Sequence, residues 1–223
     1  MSKTKLKVVA FGDSLTQGNA IGGAFKNWTE LVASELGVDV INAGIGGNTT
    51  VMARERFRAD VLDKAPDVVL INFGMNDHLL NNEGESFVAL SVFEENLIYF
   101  VDEIRKINAT PVLVTPNYFI EGNDTEYYYS RHPRKAYEPY GGALGRLDIY
   151  IDKTREVSKR MDAGLVDIRS ECEKYDPYEF LRTVENSGAN DGVHPGMIGV
   201  RVYAEMIIEV VRKYIKGSNE AKM

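Results

Sequence analysis

Five short apolar runs alternate with stretches of helical periodicity along the chain. No other feature restricts its fold so strongly. Residues 7–11, 38–42, 68–73, 111–115 and 165–168 read as strands, rich in Val, Ile, Leu and Phe. Between the first two, Trp28, Leu31, Val32 and Leu36 fall on one helical face, with Asn27 as the N-cap and Gly37 as the stop. Residues 49–62, 87–107, 146–161 and 196–215 also read as helices. Strands separated by helices imply βαβ units, hence a parallel sheet covered on both faces, a three-layer α/β/α architecture of about five strands. The 223 residues suit one such domain, expected over 1–216 with a polar, fraying tail over 217–223. One segment breaks the rhythm. Residues 117–145 hold Tyr118, Phe119, Tyr127, Tyr128, Tyr129, Tyr137 and Tyr140 without clear periodicity. A connection of that length is usually functional or disordered, and its aromatic content argues against disorder.

Charge and cysteine content narrow the partners. The net charge is −7, which disfavours nucleic acid and anionic membrane as partners. Cys172 is the single cysteine, so no intramolecular disulfide forms. Its neighbours Glu171 and Glu173 make a reactive thiolate unfavourable, which points to a structural role. The sequence Met1-Ser2-Lys3-Thr4-Lys5-Leu6-Lys7 has no apolar signal region, and no stretch approaches the ~20 apolar residues of a membrane span. A cytoplasmic protein is the expectation.

Ligands of an open parallel sheet bind beyond the carboxyl ends of its strands. After the first strand comes Gly12-Asp13-Ser14-Leu15. After the second comes Ala43-Gly44-Ile45-Gly46-Gly47-Asn48-Thr49, and after the third Gly74-Met75-Asn76-Asp77. Each loop can bring a donor to one rim: the Ser14 N–H, the Gly47 N–H and the Asn76 carboxamide. Donors fixed in this way stabilise the oxyanion of an acyl-transfer intermediate. A serine nucleophile also needs a base. The histidines are His78, His132 and His194. Only His194 has a carboxylate at short spacing within a turn, Asp191 in Asp191-Gly192-Val193-His194. Asp191 can accept from Nδ1–H and leave Nε2 free to take the Ser14 proton. The chain order Ser, Asp, His is that of α/β-hydrolases. However, Gly12-Asp13-Ser14-Leu15-Thr16 lacks the second glycine of their nucleophile elbow.

Taken in order, these four blocks resemble the SGNH hydrolases, the GDSL esterase/lipase family. The resemblance spans residues 12 to 194. It implies a flavodoxin-like three-layer fold and hydrolysis of carboxylic esters, sometimes thioesters, with no metal or organic cofactor. Carried over, Ser14 is the nucleophile, His194 the base and Asp191 its orienter, with Ser14, Gly47 and Asn76 forming the oxyanion hole.

Blander roles stand beside these. Ser14 could cap a helix and Asn76 could be a turn residue. Asp13 and Asp77 read as loop support, Asp13 by bonding loop amides. His78, Tyr118, Tyr127, Tyr128 and Tyr129, together with Asp13, are the candidates for a substrate pocket. The Tyr cluster would stack on a sugar or aryl group, or pack the insert onto the body or a second subunit of a homo-oligomer. The expected partner is a small-molecule ester, with short acyl groups on a polar alcohol, such as an O-acetylated sugar, favoured over long chains. A thioesterase or lysophospholipase using the same residues is the alternative, and a non-catalytic binding protein the alternative of another class. A dinucleotide site at Gly44-Ile45-Gly46-Gly47 is disfavoured, because that run follows the second strand and lacks the last glycine of the fingerprint.

Overall fold

The computed structural model describes residues 5–18 and 26–220, with side chains as far as 215. Five strands form one parallel sheet: β1 (Lys7–Gly12), β2 (Asp39–Gly44), β3 (Val68–Asn72), β4 (Thr110–Val114) and β5 (Gly164–Val166), in the order β2-β1-β3-β4-β5. Chain order reverses at β1, so the loops after β1, β2 and β3 meet at one point of the rim, the place where open α/β sheets bind ligands.

The central strands β1, β3 and β4 are buried on both faces, and their alternate residues feed two cores. Val8, Ala10, Val68, Leu70, Val112 and Val114 point one way. There they meet Trp28 and Val32 of α2 (Trp28–Leu36) and Tyr203, Ile207 and Val211 of the terminal helix α6 (Met197–Glu220). Val9, Phe11, Val69, Ile71 and Leu113 point the other way. They pack on Phe57 of α3 (Thr50–Asp60), on Phe93, Leu97, Phe100 and Ile104 of α4 (Leu90–Lys106), and on Tyr150 and Val157 of α5 (Ala143–Arg160). A third cluster sits beyond the strand ends, where Leu15, Met75 and Val193 meet Phe119, Tyr128, Tyr137, Leu147 and Ile151. No helix among the described residues is long and apolar enough to cross a membrane.

All five expected strands are present, with ends shifted by at most two residues. Two expectations are corrected. The helix expected from residue 87 begins at Leu90, because Phe87 is drawn back by its N–H bond to the Leu79 carbonyl. The tail expected to fray from Gly217 is helical to Glu220; once a helix is nucleated by a packed face, weak formers extend it at little cost. Cys172 is buried, which pushes its thiol up to about 11, and its Sγ donates to the Arg169 carbonyl.

Candidate active site

β1 ends at Gly12, and Asp13 turns the chain. The Asp13 carboxylate accepts from the Leu15 N–H at 2.9 Å, and its carbonyl accepts from Gln17 N–H at 2.9 Å. These bonds wind one helical turn, α1 (Ser14–Gln17), with Ser14 as its first residue. Trp28 Nε1 donates to the Leu15 carbonyl at 2.9 Å and fastens the turn to α2. The β2 loop presses against it so closely that a Cβ on Gly44 would stand 2.2 Å from the Gln17 nitrogen. Gly46 N–H is consumed by Gln17 Oε1 at 2.9 Å. Gly47 adopts φ +74°, a conformation few side chains tolerate, and its N–H has no acceptor among the described residues. The Ser14 N–H likewise has none.

Asn76 completes the rim differently from the expectation. Its Nδ2 donates to Asp13 Oδ2 at 3.2 Å and to the Asn48 carbonyl at 3.1 Å. Both carboxamide hydrogens are therefore held inside the protein, so an oxyanion would have to share one of them. Asp77 acts as loop support: Oδ1 accepts from the Thr50 N–H and hydroxyl at 2.8 and 2.6 Å, and Oδ2 from Gly74 N–H at 3.2 Å. Burial pushes both carboxyls up, Asp13 to about 7 and Asp77 to about 6, against hydrogen bonds that pull them down.

Across the rim, Asp191 and His194 share one tight loop. Asp191 Oδ2 lies 2.8 Å from His194 Nδ1, while Oδ1 accepts the backbone N–H groups of Val193 and His194, each at 2.9 Å. Burial raises this carboxyl, but the imidazole and the two N–H bonds outweigh that and hold it below the usual range. The loop is fixed from outside as well. Ile120 N–H bonds the Gly192 carbonyl at 2.8 Å, Arg182 N–H the His194 carbonyl at 2.8 Å, and Asn117 Nδ2 the Val193 carbonyl at 2.9 Å. With Nδ1 facing Asp191, Nε2 is the nitrogen left for a substrate or nucleophile proton.

A cavity of about 410 Å³ joins these pieces: Ser14, Gly47, Asn76, Asp191 and His194 all line it. No hydrogen bond joins the Ser14 hydroxyl to the His194 ring, a contact that often tightens only when substrate binds. The pocket candidates divide. Tyr127 and Tyr128 line the cavity, Tyr128 with its hydroxyl donating to the Met75 carbonyl at 2.6 Å. Asp13, His78, Tyr118 and Tyr129 do not line it. Tyr118 is buried against Phe180 and donates to the Tyr175 carbonyl. Tyr129 lies under the Arg134 guanidinium. His78 is wholly buried, beside Phe119 and His132, which stack on each other. Asp13 is buried behind the Ser14 turn. The insert carries helical turns at Tyr127–Ser130 and Arg134–Tyr137, and its buried rings make it a wall of the site rather than a detachable flap.

Sequence reasoning missed two arginines. Arg131 lines the cavity from the insert. Arg56, on α3, donates to the Gly12 carbonyl at 2.9 Å, the Ala43 carbonyl at 2.8 Å and Asn48 Oδ1 at 2.8 Å, tying together the ends of β1 and β2 and the loop bearing Gly47. Only its position on the polar face of a predicted helix was visible, which gives no hint of three acceptors distant in sequence. Among the described residues, no group of His, Cys, Asp and Glu is arranged to hold a metal ion.

This fold, with three donor loops and an Asp–His pair around one serine, defines a hydrolase of the GDSL class. Residues 10–202 match the model of the GDSL-like lipase/acylhydrolase family, and the chain belongs to it. It is similar to a protein of Bacillus subtilis (strain 168) named an uncharacterized lipoprotein, YqeF, at 45% identity over 168 residues, 72% of this chain and 69% of that one. It is also similar to an acetylxylan esterase of Geobacillus stearothermophilus, at 27% identity over 82% of this chain and 76% of that protein. A solved lipase/acylhydrolase from Enterococcus faecalis superposes with a TM-score of 0.72 at 26% identity, covering 94% of this chain and 96% of the other.

Proposed function

We propose that the protein is a serine esterase that cleaves carboxylic esters of small molecules through an acyl-enzyme. The observation that carries this reading is the shared cavity: a serine at a strand end faces the same space as a histidine whose Nδ1 is bound to a buried carboxylate. In the first step Ser14 Oγ attacks the ester carbonyl while His194 Nε2 takes its proton. The carbonyl oxygen becomes an oxyanion, supported by the free N–H groups of Ser14 and Gly47 and by a shared hydrogen of Asn76. His194 then protonates the leaving alcohol. Water, deprotonated by His194, attacks the acyl-Ser14 ester, and collapse returns the serine and releases the acid. Asp191 keeps the ring oriented and stabilises the imidazolium.

The cavity size and the likeness to an acetylxylan esterase support a short acyl group, such as acetyl, on a polar alcohol. The exposed ring of Tyr127 at the cavity edge offers a stacking surface to a sugar or aryl alcohol. The test is labelling with a fluorophosphonate beside turnover of p-nitrophenyl acetate. Wild type is expected to be labelled at Ser14, and Ser14→Ala to lose about 10⁴-fold or more of kcat. An unlabelled Ser14, or full activity in Ser14→Ala, rejects the reading.

A further inference from the structure

We infer that the cavity takes esters bearing an additional anionic oxygen group, a carboxylate or phosphate, which Arg131 receives; this rests on the esterase reading above. Arg131 is the only lysine or arginine among the described residues that line the cavity. Its guanidinium stands 5.5 Å from the centroid of the Tyr127 ring, itself 60% exposed and part of the same wall. An aromatic face holds a guanidinium by its π-electrons and leaves the planar edge of N–H donors open. That edge matches the two oxygens of a carboxylate or phosphate, which it can bind in a bidentate manner.

Two acids of the surrounding loops are already engaged, while Glu126, buried against Gly192, keeps one carboxylate oxygen without a hydrogen-bond partner among the described residues. Asp124 pairs with Arg134, and Asp191 is spent on His194 and two backbone N–H groups. Arg131 makes no ion pair among the described residues. Yet the chain carries 33 acidic and 26 basic residues, so a cation without a carboxylate beside the nucleophile is not a product of basic excess. A substrate with an acidic substituent gains most from a cation at this position, because the desolvation of its charge on entering the cavity must be offset.

The experiment compares wild type, Arg131→Gln and Arg131→Lys on matched esters. p-Carboxyphenyl and p-phosphonophenyl acetates are set against p-carbamoylphenyl acetate, and p-nitrophenyl monoadipate against its methyl diester. These pairs place the anion on the alcohol or the acyl side and distinguish carboxylate from phosphate-like recognition. For at least one pair, Arg131→Gln is expected to lose about tenfold more kcat/KM on the anionic member than on the neutral one, with Arg131→Lys losing less and added salt narrowing the gap in wild type. Equal losses on anionic and neutral members of every pair overturn the inference and leave the esterase reading intact. No turnover of any ester by wild type rejects the esterase reading itself.

Discussion

Two buried polar clusters flank the cavity, and they are built on opposite principles. Behind the nucleophile turn, Asp13, Asp77, Asn76 and Thr50 are knitted by hydrogen bonds, with side-chain acceptors reaching the amides of three separate loops. Beneath the insert, His78 is held by shape, against a His132 ring whose Nδ1 bonds the Tyr128 carbonyl at 3.0 Å. His78 stacks 5.9 Å from Phe119 and 5.7 Å from His132, and neither of its ring nitrogens has a hydrogen-bond partner among the described residues. The first cluster fixes where donors point, so its geometry bears on chemistry. The second fills volume under Tyr128, so it bears on the wall of the site. A buried polar group without a partner is costly when charged, and burial accordingly pushes His78 down to about 3, with His132 adding to the effect.

Substitutions can break this contrast. The largest effect is expected at Asn76. Asn76→Ala removes a donor from the rim and should lower kcat by about 10²–10³-fold with little change in KM, read from steady-state kinetics. Retention of kcat would mean that its two internal bonds never yield. Next comes Asp77→Ala, which leaves the Thr50 and Gly74 N–H groups without acceptors and should cost about 2–3 kcal/mol in denaturant unfolding. His78→Leu removes no hydrogen bond of the ring and should change stability by less than about 1–1.5 kcal/mol at pH 8, since its volume is close to that of histidine.

The smallest and most diagnostic effects are in pH dependence, and the two clusters should oppose each other. His78 is held below its unfolded value of 6.5, so the folded state binds fewer protons there and stability is lost as pH falls from 6.5 towards 3. Asp13 is held above its unfolded value of 3.8, so the stability it brings is complete below about 4 and is lost as pH rises through about 7. Thermal melts across pH 4 to 7 should therefore show His78→Leu gaining relative to wild type on the acid side, and Asp13→Asn gaining on the alkaline side. Melts that shift in parallel at every pH would erase the distinction between the clusters.

The same contrast explains what was legible in the sequence. Strands and donor loops could be read because their signals are local: an apolar run followed by Gly-Asp-Ser, Gly-Gly-Asn or Gly-Met-Asn. Asp191 and His194 are three residues apart and could be paired on paper. The ring cluster draws on residues 78, 119, 132 and 137, and no short-range pattern announces that they meet. For the same reason Tyr118 and Tyr127 looked alike in a tyrosine-rich stretch, although one is buried against Phe180 and the other lies open at the cavity. Arg56 and Arg131 escaped because an arginine on a polar stretch reads as solvated until its acceptors, or their absence, are located in space.

Ser14 and His194 stand at opposite ends of the chain, and the loop of His194 is clasped by residues 117, 120 and 182. During synthesis Ser14 and the loops after β1, β2 and β3 emerge first, and the loop of His194 follows only after all five strands. Recovery of turnover in a refolding experiment should thus mark the closing step of assembly, lagging behind probes of the sheet such as amide-hydrogen protection in β1 and β3.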